Sequence, residues 1–96
     1  MKTQKFDVSK YLDSDEMIAE YLKAAIEEKD TAYFMQALGH VAKAKGMSNI
    51  ALETGLGRES LYKAIDGKTQ PKLETVSKIL KAVGCSLDVR PISQTV

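Results

Sequence analysis

The sequence of 96 residues predicts an all-α protein of five helices followed by one short β-strand. Apolar residues recur at spacings of three and four in five separate segments, which is the period of an amphipathic helix. Beyond Gly84 the spacing changes to an alternation of apolar and polar residues, which is typical of a strand. The length suits one domain that buries a core without disulfides or metals.

The N-terminal region, residues 1–29, predicts an extended arm and then an acidic helix. Apolar and polar residues alternate from Lys5 to Val8, as in a short extended segment. Asp13 and Glu16 have the spacing of a capping box, in which Asp replaces the usual Ser or Thr. The helix covers about residues 14–28, and its apolar face consists of Ile18, Tyr21, Leu22, Ala25 and Ile26.

The central region, residues 30–84, contains the other four helices. Asp30 or Thr31 caps the first of them, which ends at Lys45 and Gly46 and buries Phe34, Leu38, Val41 and Ala42. Gly39 lies inside this helix at a cost of about 1 kcal/mol relative to alanine, so we expect a close helix contact there. The last helix follows Pro71 and runs from about Leu73 to Val83, with an apolar stripe of Leu73, Val76, Ile79, Leu80 and Val83.

Two short helices joined by a tight turn are predicted between Met47 and Gly67. Ser48 is expected to cap the first, whose apolar face starts with Ile50, Ala51 and Leu52, and Gly55 to end it in a left-handed conformation. Leu56 fills the turn from inside, and Gly57 precedes the second helix, from about Arg58 to Ile65. Its inward residues are Leu61, Ala64 and Ile65.

The spacing of Ala51, Gly55 and Leu61 is typical of a helix-turn-helix, which needs a small residue at the helix crossing, a glycine in the turn and a bulky anchor. With the following IDGKTQP (65–71), the segment resembles the phage repressor/Cro-like family. The resemblance implies a lambda-repressor-like DNA-binding domain whose second helix enters the major groove. The same spacing also occurs in helical bundles that do not bind DNA.

The resemblance implies a division of roles between base-reading and backbone-binding residues. The base-reading set is Arg58, Glu59, Tyr62 and Lys63. The backbone-binding set is Ser48, Asn49, Lys68, Thr69, Gln70 and Lys72. A symmetric dimer on a palindromic operator of double-stranded DNA is expected, because one such motif makes few base contacts. The alternatives are a solvated face at Arg58 and Glu59, and a partly buried Tyr62.

The net charge of +1 conceals two halves of opposite sign. Residues 1–38 hold five lysines against eight acidic residues, a net of −3, and residues 39–83 hold eight basic against four acidic residues, a net of +4. The basic half contains the helix-turn-helix, where it would attract phosphates. The acidic half suits a different, basic partner, or is simply a solvated face.

The C-terminal region, residues 85–96, predicts a short edge strand and a frayed tail. Leu87 and Val89 alternate with Asp88 and Arg90, and Pro91 limits the strand to an edge. An isolated strand is unstable, so it must pair with the N-terminal arm, with a partner protein or with a second copy of itself. Antiparallel pairing of two copies about Val89 would place Asp88 opposite Arg90, and we therefore predict a homodimer through Leu87, Asp88, Val89 and Arg90.

A closer resemblance covers nearly the whole chain, from Phe6 to Pro91. The motifs FDxSxYL, IAEYLKAAIEE, ALGHVAKAKGMSNIALETGLGRESLYKAI, PKLETVxKILKAVG and SLDVRP are similar to antidote proteins of bacterial addiction modules, close to HigA-like antitoxins. The resemblance implies a type II antitoxin that neutralises a RelE/ParE-like toxin and represses its own operon. We expect Phe6, Glu20, Glu27 and Glu28 to contact the toxin, because such toxins tend to be basic. Alternatively, helix 14–28 only completes the core.

Other classes of function find little support in the sequence. Cys85 and His40 are each the only residue of their type, which argues against a disulfide, a zinc site, a cofactor or catalysis. The N-terminus lacks the apolar stretch of a secretory signal, no segment is apolar enough for a membrane helix, and a cytoplasmic location is expected. The remaining alternatives are a stand-alone repressor without a toxin and a helical module that binds only proteins.

Overall fold

The computed structural model describes residues 14–28 and 30–92, which form five helices and confirm the all-α class. The helices are α1 (Asp15–Ile26), α2 (Thr31–Lys45), α3 (Met47–Thr54), α4 (Arg58–Ala64) and α5 (Leu73–Ala82). Each begins and ends within two residues of its predicted bounds. The expected N-terminal arm, with Phe6, lies outside the described residues.

The helix starts depend on caps, and only some of these were predicted. At α2 the Asp30 carboxylate accepts hydrogen bonds from the N–H groups of Ala32 (3.1 Å) and Tyr33 (3.4 Å), as expected. At α1 the cap is Ser14, whose Oγ accepts from the Met17 N–H at 3.2 Å. The capping box expected from Asp13 is therefore wrong, because the helix begins one residue later.

The core is one cluster to which all five helices contribute. Its most deeply buried side chains include Ile18 of α1, Leu38 of α2, Ile50 of α3, Leu61 of α4 and Ile79 of α5. Burying a side chain of this size stabilises the folded state by roughly 1.5–3 kcal/mol, so the cluster accounts for much of the favourable free energy of folding. The predicted inward positions Leu61, Ala64 and Ile65 are all buried.

Gly39 provides the close helix contact that its position predicted. A Cβ added there would lie 3.2 Å from the Cβ of Ile65 and 3.3 Å from its carbonyl oxygen. The residue that follows α4 therefore packs directly on the backbone of α2. This contact fixes the end of α4 against the middle of α2.

Three residues assigned to apolar faces are exposed instead: Ile26 (54%), Leu52 (82%) and Leu73 (71%). In α3 the buried positions are Met47, Ile50 and Thr54, and Leu52 points away from them. Leu73 is the first residue of α5 and Ile26 the last of α1, where each helix extends past the core.

The predicted C-terminal strand is absent from the described part of the chain. Residues 85–91 form no regular structure, and the side chains of Leu87 and Val89 are exposed. The physical reason is local hydrogen bonding without a second strand: Asp88 accepts from the Val89 N–H at 2.8 Å and pairs with the Arg90 Nε at 3.3 Å. In this single chain Asp88 and Arg90 are thus partners of each other.

Candidate functional site

The turn between α3 and α4 consists of Gly55, Leu56 and Gly57. Gly55 has φ of +77°, the left-handed conformation that ends a helix and that glycine adopts without steric cost. Gly57 is extended and precedes the first residue of α4 without a side-chain cap, as expected. Leu56 is half-buried against the core, so the turn is held from inside.

Thr54 locks this turn, and the sequence analysis did not identify it. Its buried hydroxyl donates to the Ile50 carbonyl oxygen at 2.8 Å and accepts from the Leu56 N–H at 3.2 Å. One side chain therefore connects the last turn of α3 to the residue that leads into α4. The only signal in the sequence is a hydroxyl residue directly before the glycine that ends the helix.

The outward face of α4 presents Arg58, Glu59, Tyr62 and Lys63, all of which are exposed, as predicted. Arg58 is oriented by two neighbours: its Nη1 donates to Ser48 Oγ at 3.3 Å, and its guanidinium carbon lies 5.8 Å from the centre of the Tyr62 ring. The structure thus joins α3 and α4 through a polar cluster of Ser48, Arg58 and Tyr62.

The role expected for Ser48 as a helix cap is wrong. α3 begins at Met47, and its N-cap is Gly46, which has no side chain to accept from the first N–H groups of the helix. Ser48 lies in the first turn and holds Arg58 instead. Ser48 and Asn49 are both exposed beside helix amides that have no side-chain cap, which is favourable for an anion.

The loop after α4 is shaped by two side chains. Asp66 Oδ1 accepts from the Lys68 N–H at 2.7 Å, and Thr69 Oγ1 donates to the Lys63 carbonyl oxygen at 3.0 Å. The hydroxyl proton of Thr69 is therefore used inside the chain. The side chains of Lys68, Gln70 and Lys72 are exposed around this loop.

The glutamates of the acidic helix lie on two different surfaces. Glu20 and Glu28 line a groove of about 510 Å³ between α1 and α2, whereas Glu27 lines a second groove beside the C-terminal segment. The three were expected to act together, and the structure separates Glu27 from the other two. All three are exposed, as a contact surface requires.

Cys85 is half-buried against the core. Burial, and secondarily the charge of Asp15, raise the pKa of its thiol, with Lys45 acting in the opposite direction. The thiol therefore stays protonated at neutral pH and is a weak nucleophile.

In residues 14–28 and 30–92 no group of three or more His, Cys, Asp or Glu side chains is placed to hold a metal ion. No helix in these ranges is long and apolar enough to cross a membrane.

Residues 14–28 and 30–92 thus form a small all-α protein with an arginine-bearing two-helix face and a separate acidic groove. A protein-family model described as "probable addiction module antidote protein" matches residues 2–91, and the chain belongs to this family. An uncharacterised protein of Haemophilus influenzae is 40% identical over 85 residues, which cover 88% of each chain. No solved structure matches the chain at a significant level. Membership of an antidote family implies a toxin partner.

We expect Thr54→Val to destabilise the protein by about 1–3 kcal/mol, because it keeps the shape of the side chain but leaves the Leu56 N–H without its partner. Chemical denaturation followed by circular dichroism measures the free energy of unfolding. Thr54→Ser, which keeps the hydroxyl, is the matched control and should cost less. A serine variant that loses as much stability as the valine variant would show that the Thr54 hydrogen bonds do not stabilise the turn.

Proposed function

We propose that the chain is the DNA-binding antitoxin of a type II toxin–antitoxin pair, which neutralises a RelE/ParE-like toxin and represses its own operon as a dimer in the cytoplasm. The observation that carries the proposal is the match of the antidote family to residues 2–91. Two separate surfaces support it, one for each of the two partners that this function needs.

The DNA-binding part of the proposal rests on α3, its turn and α4 as a lambda-repressor-like helix-turn-helix. Arg58, at the first position of α4, is exposed and held by Ser48 and Tyr62, so it is preorganised to donate to guanine O6 and N7. In this proposal Glu59, Tyr62 and Lys63 are the other base-reading residues. The helix enters the major groove with its N-terminal end toward the bases.

The DNA backbone would be held on both sides of α4. On one side are Ser48 and Asn49, next to the α3 amides that have no side-chain cap. On the other side is the loop with Lys68, Gln70 and Lys72, which Thr69 shapes by donating its hydroxyl proton to the Lys63 carbonyl oxygen. The surplus of basic residues between 39 and 83 supports this arrangement.

The dimer part of the proposal rests on the C-terminal segment. Leu87 and Val89 are 44% and 92% exposed, and the segment has no strand partner among the described residues. Pairing with a second copy would cover these side chains and complete the hydrogen bonds of the backbone. Asp88 and Arg90 would then exchange their present ion pair for one across the two chains.

The toxin-binding part of the proposal rests on the acidic N-terminal region. Glu20 and Glu28 share one groove and present charge to solvent, which suits a basic partner. Phe6 belongs to the same proposal, although it lies outside the described residues. Glu27 lines the second groove and belongs to the proposal as a toxin contact on that neighbouring surface.

Coexpression tests the antitoxin directly. The small open reading frame next to this gene is induced alone and then together with residues 1–96, and colony growth is measured. We expect arrest that this chain relieves, and Arg58→Ala should relieve it equally, because neutralisation does not need the DNA surface. Absence of arrest, or arrest that the chain cannot relieve, would favour a stand-alone repressor, which the arginine-bearing face also fits.

Arg58→Ala should weaken binding to the operator by about 1–3 kcal/mol and relax specificity at one base pair. Lys68→Ala should weaken binding to all sequences alike and reduce the slope of log K against log salt by about 1. Fluorescence anisotropy with DNA from upstream of the gene, measured at several salt concentrations, distinguishes the two effects. Unchanged operator affinity in Arg58→Ala would remove Arg58 from the base-reading set.

A chain truncated after Cys85 should sediment as a monomer, because it lacks the segment that pairs the two copies. A chain that ends at Ile92 keeps the segment and should remain a dimer, which controls for truncation itself. Analytical ultracentrifugation measures both. A dimer of the shorter chain would place the dimer interface elsewhere.

A further inference from the structure

The groove between α1 and α2 combines an apolar floor with a charged rim. Ala24, Ala25 and Ala37 form the floor. Because their side chains are small, they leave space open between the two helices. Glu20 and Glu28 lie on the α1 side of the rim. The volume of about 510 Å³ accommodates one or two long side chains of another protein.

Two tyrosines belong to the same groove. The Tyr21 hydroxyl is 3.4 Å from His40 Nδ1, a hydrogen bond that links α1 to α2, and Tyr33 on α2 is 49% exposed. Burial, and secondarily Tyr33, raise the pKa of Tyr21 above its usual value of 10.0. The Tyr21 phenol is therefore neutral at physiological pH, and the rings of Tyr21 and Tyr33 add polarisable surface to an acidic site.

The charge of the groove is one-sided. No lysine or arginine is among the described residues that line it, and Gln36 and His40 are the other polar members. The ion pairs found within 14–28 and 30–92 join Lys78 to Glu74 and Arg90 to Asp88, both away from the groove. Glu20 and Glu28 thus form no ion pair within these ranges.

We propose that this groove binds an arginine side chain presented by the toxin. Arginine has a long apolar stem for the alanine floor and a flat cation that both stacks on phenol rings and donates paired hydrogen bonds to carboxylates. Lysine supplies the charge but not the planar stacking surface. The inference rests on the proposed antitoxin function and adds the chemistry of the contact to it.

The groove can be examined first without the toxin. The full chain is titrated by NMR with acetyl-Gly-Arg-Gly-Arg-Gly-amide and with its lysine counterpart, and the methyl signals of Ala24 and Ala37 and the ring signals of Tyr33 are followed. We expect the arginine peptide to shift these signals and to bind at least about threefold more tightly than the lysine peptide. Shifts confined to other surfaces, or equal binding of both peptides, would overturn the proposal.

The second arm uses purified toxin from the neighbouring open reading frame and isothermal titration calorimetry. We expect Glu20→Gln combined with Glu28→Gln to raise the Kd about tenfold. Glu16→Gln, on the same helix but outside the groove, should change the Kd less than about twofold. Ala24→Leu, which fills the groove without altering charge, should also weaken binding, whereas Ala44→Leu on the exposed side of α2 should not.

The outcomes separate this inference from the function on which it rests. Toxin binding that is equally tight for the wild type and all four substituted proteins would leave the antitoxin function standing and overturn the groove as its contact. A wild type that binds no toxin would overturn the antitoxin function and, with it, the toxin as the occupant. Weaker binding by the groove variants alone supports both.

Discussion

The packing around α2 determines where the two charged surfaces lie relative to each other. Leu38 and Val41 are completely buried, and Gly39 brings the residue after α4 against the backbone of the same helix. Another face of α2 forms one wall of the acidic groove. Since α2 therefore contacts both the end of α4 and α1, a larger side chain at Gly39 would alter more than local packing.

The separation of charge along the sequence becomes a separation in space. The acidic N-terminal helix contributes Glu20 and Glu28 to one groove, and the later basic half contributes Arg58 and Lys63 to an exposed face. A protein with two partners of different chemistry gains from this arrangement, because each surface attracts one partner and repels the other. In the proposed function these partners are the toxin and the phosphates of DNA.

Much of the fold was predictable because it depends on local backbone constraints. Gly55 ends α3 in a left-handed conformation and Asp30 caps the start of α2, and both features can be predicted from a few neighbouring residues. The contact of Arg58 with Ser48 joins residues ten positions apart and depends on how the two helices cross, so the sequence alone could not supply it. The groove likewise depends on the spacing between α1 and α2. The strand prediction failed because a strand needs a second strand, and residues 14–28 and 30–92 offer none to Val89.

Gly46 is shared by two helices, since it is the C-cap of α2 and the N-cap of α3. The φ of this single junction residue is +106°, a conformation that a residue with a Cβ adopts only with strain. The angle between α2 and α3, and with it the position of Ser48, therefore depends on the backbone conformation of one glycine.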